Sequence, residues 1–347
     1  MRTIKKVASH IFIDGFGGMT QGLFATLIIG TMIQQIGLLI GGSTGNVIYL
    51  LGKAAAALTS AGIGVGVAVK YGESPLVTVS AAVAAMVGGY AGKITGGTFF
   101  VDGNAVLAGP GEPLGAFIAA FAGITCGHLV SGKTKVDIIV TPVITIGAGS
   151  VVGLLVGPPI SQMMTGLGSI INWATEQRPF IMGIVVSVVM GMVLTLPISS
   201  AALGIILNLS GLAAGAATIG CCCNMVGFAV ASYRENKFGG LVAQGLGTSM
   251  LQVPNIMRHP LIWLPVIFSS AILGPVSTII ANMQNNATGS GMGSAGLVGQ
   301  ITTYQTMIAY DDPKLVIIKI ILLHFVLPAV ILSLIHISEP TRHLRIS

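Results

Sequence analysis

Polar side chains cluster around prolines in one stretch of an otherwise apolar sequence. Residues 247–265 read GTSMLQVPNIMRHPLIWLP and place the amides of Gln252 and Asn255 beside Arg258 and His259. Amides donate and accept hydrogen bonds without bringing full charge into an apolar region, and a proline frees a backbone carbonyl. Such a segment suits the binding of a neutral polar solute. Alternatively, Arg258 and His259 simply flank the apolar run that begins at residue 261 on the cytoplasmic side of a membrane.

Other polar residues that could contact such a solute stand near apolar runs. Glu112 lies in GPGEPLGAF, and Asp102 and Asn104 occupy the loop before it. A carboxylate inside a membrane costs about 2.5–3.5 kcal/mol at mid-depth, so one that is retained usually faces a cavity or a substrate. Glu112 could instead be a solvated loop residue, and a single amide often only joins helices. The predicted substrate-binding residues are Glu112, Asn104, Asn224, Gln252, Asn255, His259 and Asn282.

The residue patterns of self-contained enzymes and metal centres are missing from the sequence. Cys221, Cys222 and Cys223 are consecutive, and adjacent residues of a helix point about 100° apart, which disfavours binding of one ion. We interpret these cysteines as small packing residues. The glycine-rich residues 285–299 lack the lysine of a phosphate-binding loop. The sequence therefore predicts no catalytic residue of its own, no metal and no cofactor.

The composition indicates that lipid surrounds the elements that hold these residues. Of the 347 residues, 53% are hydrophobic and 7% are charged, and the mean hydropathy is +0.91, whereas a globular domain carries about 25% charged residues. The 49 glycines are typical of closely packed transmembrane helices. The net charge of +6 is not arranged as a basic stripe with aromatics, so we expect a lipid bilayer, and no nucleic acid, as a partner. The predicted fold class is an all-α, polytopic helical membrane bundle.

Nine apolar runs are of spanning length or close to it. They lie at about 20–41, 46–69, 75–92, 114–131, 137–157, 179–197, 201–231, 261–281 and 314–335. Two further stretches, 239–256 and 291–309, are apolar but rich in Gly, Ser, Thr and Gln, and the long run 201–231 fits a re-entrant hairpin. Broken elements at membrane depth must be buried in protein or line a cavity. We predict about 8–10 transmembrane helices with re-entrant hairpins.

The positive residues between the apolar runs predict the orientation. They are Arg2, Lys5 and Lys6; Lys133 and Lys135; and Arg234 and Lys237. Cytoplasmic loops carry the excess of Lys and Arg. This rule favours a cytoplasmic N-terminus in a multi-pass protein of a bacterial cytoplasmic (inner) membrane. Arg234 and Lys237 then lie on the same side only if the run 201–231 enters and leaves the membrane on one side or crosses it twice as shortened segments.

The end of the sequence interrupts the apolar pattern. The residues LIHISEPTRHLRIS place a sudden charged tail after an apolar run and resemble translated vector sequence. We interpret residues 1–333 as one membrane domain and residues 334–347 as a non-native tail. The alternative is an ordinary cytoplasmic or external tail.

Several longer motifs resemble one family of membrane proteins. At PISSAALG, at IGCCCNMVGFAVASYRENKFGGLVAQGLGTSMLQVPNIMRHPLIWLP, at GPVSTI and at GSGMGSAGLVGQ, the sequence resembles the IIC component of the bacterial phosphotransferase system. It resembles most narrowly the compact branch that includes perfringolysin-regulator-like membrane proteins. The resemblance covers most of residues 1–333, and GPGEP around Glu112 is only a loose candidate for the acidic motif of sugar IIC proteins.

The resemblance implies a homodimeric sugar permease with re-entrant hairpins. It further implies uptake of a carbohydrate that a separate cytoplasmic IIB protein, supplied by IIA, phosphorylates during translocation. The leading hypothesis is therefore a permease that moves a sugar or sugar-like polar metabolite by alternating access. One alternative is a membrane sensor or regulator that has the same fold and has lost transport. Another is a secondary carrier of an ion or a small metabolite.

Overall fold

The computed structural model describes residues 14–107 and 109–338, and these residues are almost entirely helical. The predicted all-α polytopic class is confirmed. The basic residues at positions 2, 5 and 6 and most of the predicted tail, 339–347, lie outside the described residues.

The chain divides into two compact units, Met1–Met164 and Thr165–Ser347. The division falls within one long helix. The assignment of residues 1–333 to one membrane domain stays a prediction.

The first unit consists of helices and one small hairpin. Its helices are α1 (Phe16–Ile40), α2 (Gly42–Ala57), α3 (Thr59–Lys70), α4 (Pro75–Gly89), α5 (Ala91–Thr95), α6 (Pro113–Val130) and the start of α7 (Asp137–Thr175). Strands β1 (Phe100–Val101) and β2 (Asn104–Ala105) are antiparallel. Gly41, with φ of +67°, separates α1 from α2, a conformation that glycine adopts without the strain of a Cβ. Helices α2 and α3 bend by 53° where they meet.

Glycines bring α1 into close antiparallel contact with α2 and α3. The facing pairs are Gly37–Gly45, Gly30–Gly52, Gly22–Gly62 and Gly18–Gly66. A Cβ added at Gly30 would lie 2.8 Å from the carbonyl oxygen of Gly52, and one at Gly18 would lie 2.5 Å from that of Gly66. Real Cβ contacts are longer than 3.0 Å. The absence of side chains at these positions therefore sets the distance between the helices.

The loop before α6 is fastened to the middle of the first unit. The Ser60 hydroxyl donates to the carbonyl oxygen of Pro110 at 3.0 Å, and the Tyr90 hydroxyl donates to that of Gly109. The backbone N–H of Glu112 donates to the carbonyl oxygen of Gly89 at 2.7 Å. These bonds fix Glu112 at the N-terminus of α6, where Pro113 begins the helix.

The second unit is built around a helix that is buried on all sides. Its elements are the end of α7, then α8 (Pro179–Thr195), α9 (Ser200–Ile206), α10 (Gly211–Ala231), α11 (Tyr233–Val242), α12 (Val253–Arg258), α13 (Pro260–Ile280), α14 (Ala287–Ser290), α15 (Val298–Met307) and α16, which runs from Pro313 through a π turn at Ile321–Val326 to Ser338. In α10, every residue from Ala213 to Ala229 is buried. Its sequence carries small and apolar residues on every face, which is typical of a central helix.

The apolar core of the second unit joins α10 to the helices that follow it. One buried cluster contains Ile219 and Cys223 of α10, Leu273 of α13 and Leu323 of α16. Cys221 and Cys222 are also fully buried, and the four cysteines of the chain are free thiols. Within the described residues, no group of three or more His, Cys, Asp and Glu side chains is arranged to hold a metal ion.

Six helices of the described part of the chain are long and apolar enough to cross a membrane, and the bent pair α2–α3 makes up to seven. Fewer helices than the expected eight to ten are therefore long enough to span a membrane. Helix α4 has only 15 residues and α8 only 17. The run 201–231 contains the end of a short helix, α9, and after a break the full-length α10, and its assignment as a re-entrant hairpin stays a prediction. Large apolar side chains such as Leu39 and Leu155 are exposed, as expected for surfaces that face lipid.

Candidate functional site

Four uncharged side chains of the second unit form a hydrogen-bonded row, which we call the amide chain. The Asn255 amide donates to Oε1 of Gln252 at 2.7 Å, and the Gln252 amide donates to Oε1 of Gln244 at 2.8 Å. The Gln244 amide donates to the Ser232 hydroxyl at 2.7 Å and to the Gly240 carbonyl oxygen at 3.4 Å. All four side chains are buried. The amide chain is therefore a line of neutral polar groups in the interior of the second unit.

Short, broken elements position the amide chain. Helix α11 is kinked at Lys237, whose φ is +54°, and a π turn at Ala243–Gly247 carries Gln244. A 3₁₀ turn at Ser249–Gln252 then leads into α12. Pro254 occupies the first turn of α12, where a missing N–H costs no helical bond. The stretch thus forms a discontinuous element, as its prolines and amides predict.

A second polar group, which we call the Asn224 cluster, lies beside the same 3₁₀ turn. The Thr195 hydroxyl contacts Ser249 Oγ at 2.9 Å and donates to Asn224 Oδ1 at 3.1 Å. The Trp263 indole N–H also donates to Asn224 Oδ1, at 3.3 Å. Asn224 Nδ2 donates to the Gly220 carbonyl oxygen at 3.0 Å and to Ser270 Oγ at 3.3 Å. Asn224 therefore joins α8, α10 and α13, and its hydrogen-bonding capacity is used within the protein.

The remaining predicted residues of the second unit lie at ends of elements. His259 is exposed and follows α12, where its backbone N–H donates to the carbonyl oxygen of Asn255 at 2.8 Å. Asn282 is exposed and has a φ of +48° after the π turn that ends α13. Asparagine tolerates this left-handed conformation better than most residues. The structure thus gives Asn282 a role in ending a helix.

The two predicted residues of the first unit lie in and beside a glycine-rich loop. Asn104 is exposed on β2, and its amide donates to the Asp102 carbonyl oxygen at 3.3 Å. Asp102 and Gly103 have positive φ, as in the tight turns that join two strands. Glu112 is half-buried at the N-terminus of α6, where the helix dipole favours a negative charge.

The residue patterns missed several members of the two polar groups. Gln244 and Ser232 complete the amide chain, and Thr195 and Ser249 belong to the Asn224 cluster. Gln244 lies in the ambiguous stretch 239–256, eight residues before Gln252. Spacing alone does not pair two amides across a π turn and a 3₁₀ turn, so no clear local signal was present.

Both groups consist of neutral hydrogen-bond donors and acceptors. Amides and hydroxyls donate and accept at once, which suits the hydroxyl groups of a polar solute. A buried hydrogen bond that loses its partner costs about 1–3 kcal/mol, so such sites discriminate strongly between solutes.

One protein-family model matches the chain. The model described as "Phosphotransferase system, EIIC" matches residues 13–343, nearly the whole chain, and the resemblance found in the motifs is confirmed. The match continues past residue 333, and the tail boundary stays a prediction. A search of curated proteins found no matching relative.

Proposed function

Because the chain belongs to the EIIC family of the phosphotransferase system, we propose that it is the membrane permease of a sugar or a sugar-like polar metabolite. In this proposal the solute crosses the bilayer by alternating access, and a separate cytoplasmic IIB protein, supplied by IIA, phosphorylates it. The observation that carries the proposal is the amide chain, a buried row of neutral hydrogen-bonding side chains.

The amide chain suits a polyhydroxylated solute better than an ion. Its members, Ser232, Gln244, Gln252 and Asn255, carry no formal charge. An ion would need carboxylates, full countercharges or many carbonyl oxygens to replace its water, whereas a sugar needs donors and acceptors in alternation. In our proposal Gln252 and Asn255 contact the solute, while Gln244 and Ser232 hold their amides in place from behind.

The other predicted binding residues have different roles in the proposal. Glu112 and Asn104 belong to the first unit and stay predicted binding residues. The exposed positions of His259 and Asn282 suit first contacts with a solute better than contacts with a buried one. Asn224 serves the site indirectly, because its amide already joins three helices and supports Ser249 through Thr195.

The proposal includes the setting that the family implies. The protein would act as a homodimer in the bacterial cytoplasmic membrane with its N-terminus in the cytoplasm. In that orientation, and with 201–231 as a re-entrant element, the segment around Arg234 and Lys237 lies on the cytoplasmic side, where a IIB protein would dock. Both residues are exposed.

A membrane sensor with the same fold is the second candidate. It is favoured by one observation: the amide chain ends at Ser232, directly before the kinked segment that contains Lys237. A solute that changed the hydrogen bonds of the chain would act on a segment with exposed charges, without any transport.

Binding to the purified, detergent-solubilised protein tests the site. A sugar that binds the folded state adds RT ln(1 + [L]/Kd) to the free energy of unfolding. The melting temperature rises as a result. We expect one member of a sugar panel to do so, and we expect Asn255→Ala and Gln252→Ala each to raise the Kd for this sugar about tenfold, since each removes a hydrogen bond to the solute. Asn285→Ala is the control, because Asn285 is a buried amide that bonds Thr218 and Gly299 instead.

An uptake assay distinguishes the two candidate functions. Uptake of the bound sugar by proteoliposomes with its IIB partner supports the permease, and binding without uptake supports the sensor. Unchanged sugar binding in both alanine variants would show that the amide chain does not contact the sugar.

A further inference from the structure

A glycine-rich segment of the second unit, residues 287–297, lies directly against α10. A Cβ added at Gly293 would lie only 2.6 Å from Cβ of Cys221, which belongs to α10. The hydroxyl of Ser200, in α9, donates to the carbonyl oxygen of Gly291 at 2.6 Å. The close backbone contact with α10 and the hydrogen bond from α9 hold segment 287–297 in place.

One side chain of this segment reaches the π turn that carries Gln244 of the amide chain. Ser294 is fully buried, and its hydroxyl donates to the carbonyl oxygen of Gly245 at 2.6 Å. Met225 Sδ lies 3.5 Å from the same hydroxyl oxygen. A thioether accepts only weakly, so the single hydroxyl hydrogen is directed to Gly245. Ser294 therefore joins segment 287–297 to the residue that directly follows Gln244.

The Gly245 carbonyl stands at the end of a helical turn, where backbone oxygens need donors from elsewhere. The π turn ends at Gly247, and Thr248 is extended. The Met250 N–H, five residues after Gly245, donates to the Thr248 hydroxyl at 3.2 Å. The last carbonyls of a helix have no donor within it, and a buried acceptor that loses its partner is costly. The Ser294 hydroxyl supplies the donor that this turn does not contain.

We propose that Ser294 is a positioning residue of the solute site, because its hydrogen bond holds the π turn in the conformation that presents Gln244 to Gln252. The proposal rests on the proposed function, since it takes the amide chain as the site. Without the bond from Ser294, the turn would populate conformations in which Gln244 Oε1 no longer accepts from the Gln252 amide at 2.8 Å. A solute binds only the competent fraction of the protein, so its apparent Kd rises as that fraction falls.

Hydrogen exchange in the full-length variant Ser294→Ala tests the proposal without any sugar. Ser187→Ala is the matched control, because Ser187 is also fully buried and its hydroxyl donates to the Ser270 carbonyl oxygen at 2.7 Å, which joins α8 to α13 instead. We expect both variants to lower the melting temperature by roughly 2–4 °C. Backbone amides of residues 243–252, followed by mass spectrometry, should exchange about two- to tenfold faster in Ser294→Ala alone. Equal exchange rates in the two variants would overturn the proposal.

Sugar binding provides the second measurement and separates this proposal from the proposed function. For the sugar whose binding Gln252→Ala weakens, we expect the Kd to rise about two- to tenfold in Ser294→Ala and to equal the wild-type value in Ser187→Ala. A Kd that rises in Gln252→Ala but not in Ser294→Ala would overturn the positioning role and leave the proposed function intact. An unchanged Kd in Gln252→Ala, or a panel without any bound sugar, would overturn the proposed function and with it the role of Ser294 in binding.

Discussion

The glycine contacts of the first unit predict opposite effects for two neighbouring substitutions in α1. An added methyl at Gly18 would lie 2.5 Å from the Gly66 carbonyl oxygen and 2.8 Å from Val67 Cα, whereas one at Gly17 would meet only Lys70 Cε, at 3.8 Å. Ordinary contact begins at 3.4 Å, so the Gly18 methyl would be about 0.9 Å too close to backbone. Gly18→Ala must therefore move α1 away from α3.

The size of the effect follows from the difference in the free energy of unfolding between the two variants. Both gain about 0.5–1 kcal/mol of helix stability when glycine becomes alanine, and this gain cancels in the difference. Overpacking a tight contact costs about 1–3 kcal/mol. The free energy of unfolding of Gly18→Ala should thus be about 1–3 kcal/mol below that of Gly17→Ala.

Thermal unfolding of both variants in one detergent measures this difference. It corresponds to a gap in melting temperature of roughly 2–12 °C, with Gly17→Ala at or above wild type. Equal melting temperatures in the two variants would show that α1 does not pack on α3 in this register.

Two further predictions concern single features of the second unit. Asn282→Gly should leave the melting temperature nearly unchanged, whereas Asn282→Val should lower stability by about 1–3 kcal/mol, because a β-branched residue is strained at a φ of +48°; a thermal shift assay on the pair checks this, and equal effects would contradict it. The three fully buried cysteines, 221–223, should resist N-ethylmaleimide in the folded protein and react after denaturation, as counted by mass spectrometry; labelling of the folded protein at these positions would show that α10 is not enclosed.

Helix boundaries could be read from the sequence where proline marks them. The predicted runs 114–131, 261–281 and 314–335 correspond to helices that begin at Pro113, Pro260 and Pro313. These three agree because proline suits the first turn of a helix and disfavours helical conformation in the residue before it.

Breaks without proline were harder to predict. The run 46–69 contains the 53° bend between α2 and α3, and 201–231 contains the break before Gly211, whose φ is +57°. Hydropathy averages over such breaks, because a residue can be apolar and still leave the helical conformation. The packing of the unit, which the local sequence does not report, selects where the bend falls.

The polar groups were predicted in part for a related reason. Gln252 and Asn255 are three residues apart, and the structure places their amides 2.7 Å apart. The partners Gln244 and Thr195 are brought in by tertiary structure. A pattern of residue types within one short stretch indicates that a polar group of side chains is present. The packing of separate elements determines which further residues belong to it.

The carbonyl of Gly240 fixes the direction in which the amide chain is polarised. Because this oxygen accepts from Gln244 Nε2, the Gln244 amide must present its nitrogen to Ser232 and its oxygen to Gln252. Gln252 must then offer its own oxygen to Asn255. Reversal would require every amide in the row to turn over together. One backbone oxygen, three residues beyond the kink at Lys237, thus sets the order of donors and acceptors along the whole row, and a change of backbone conformation at that kink would allow the row to reverse.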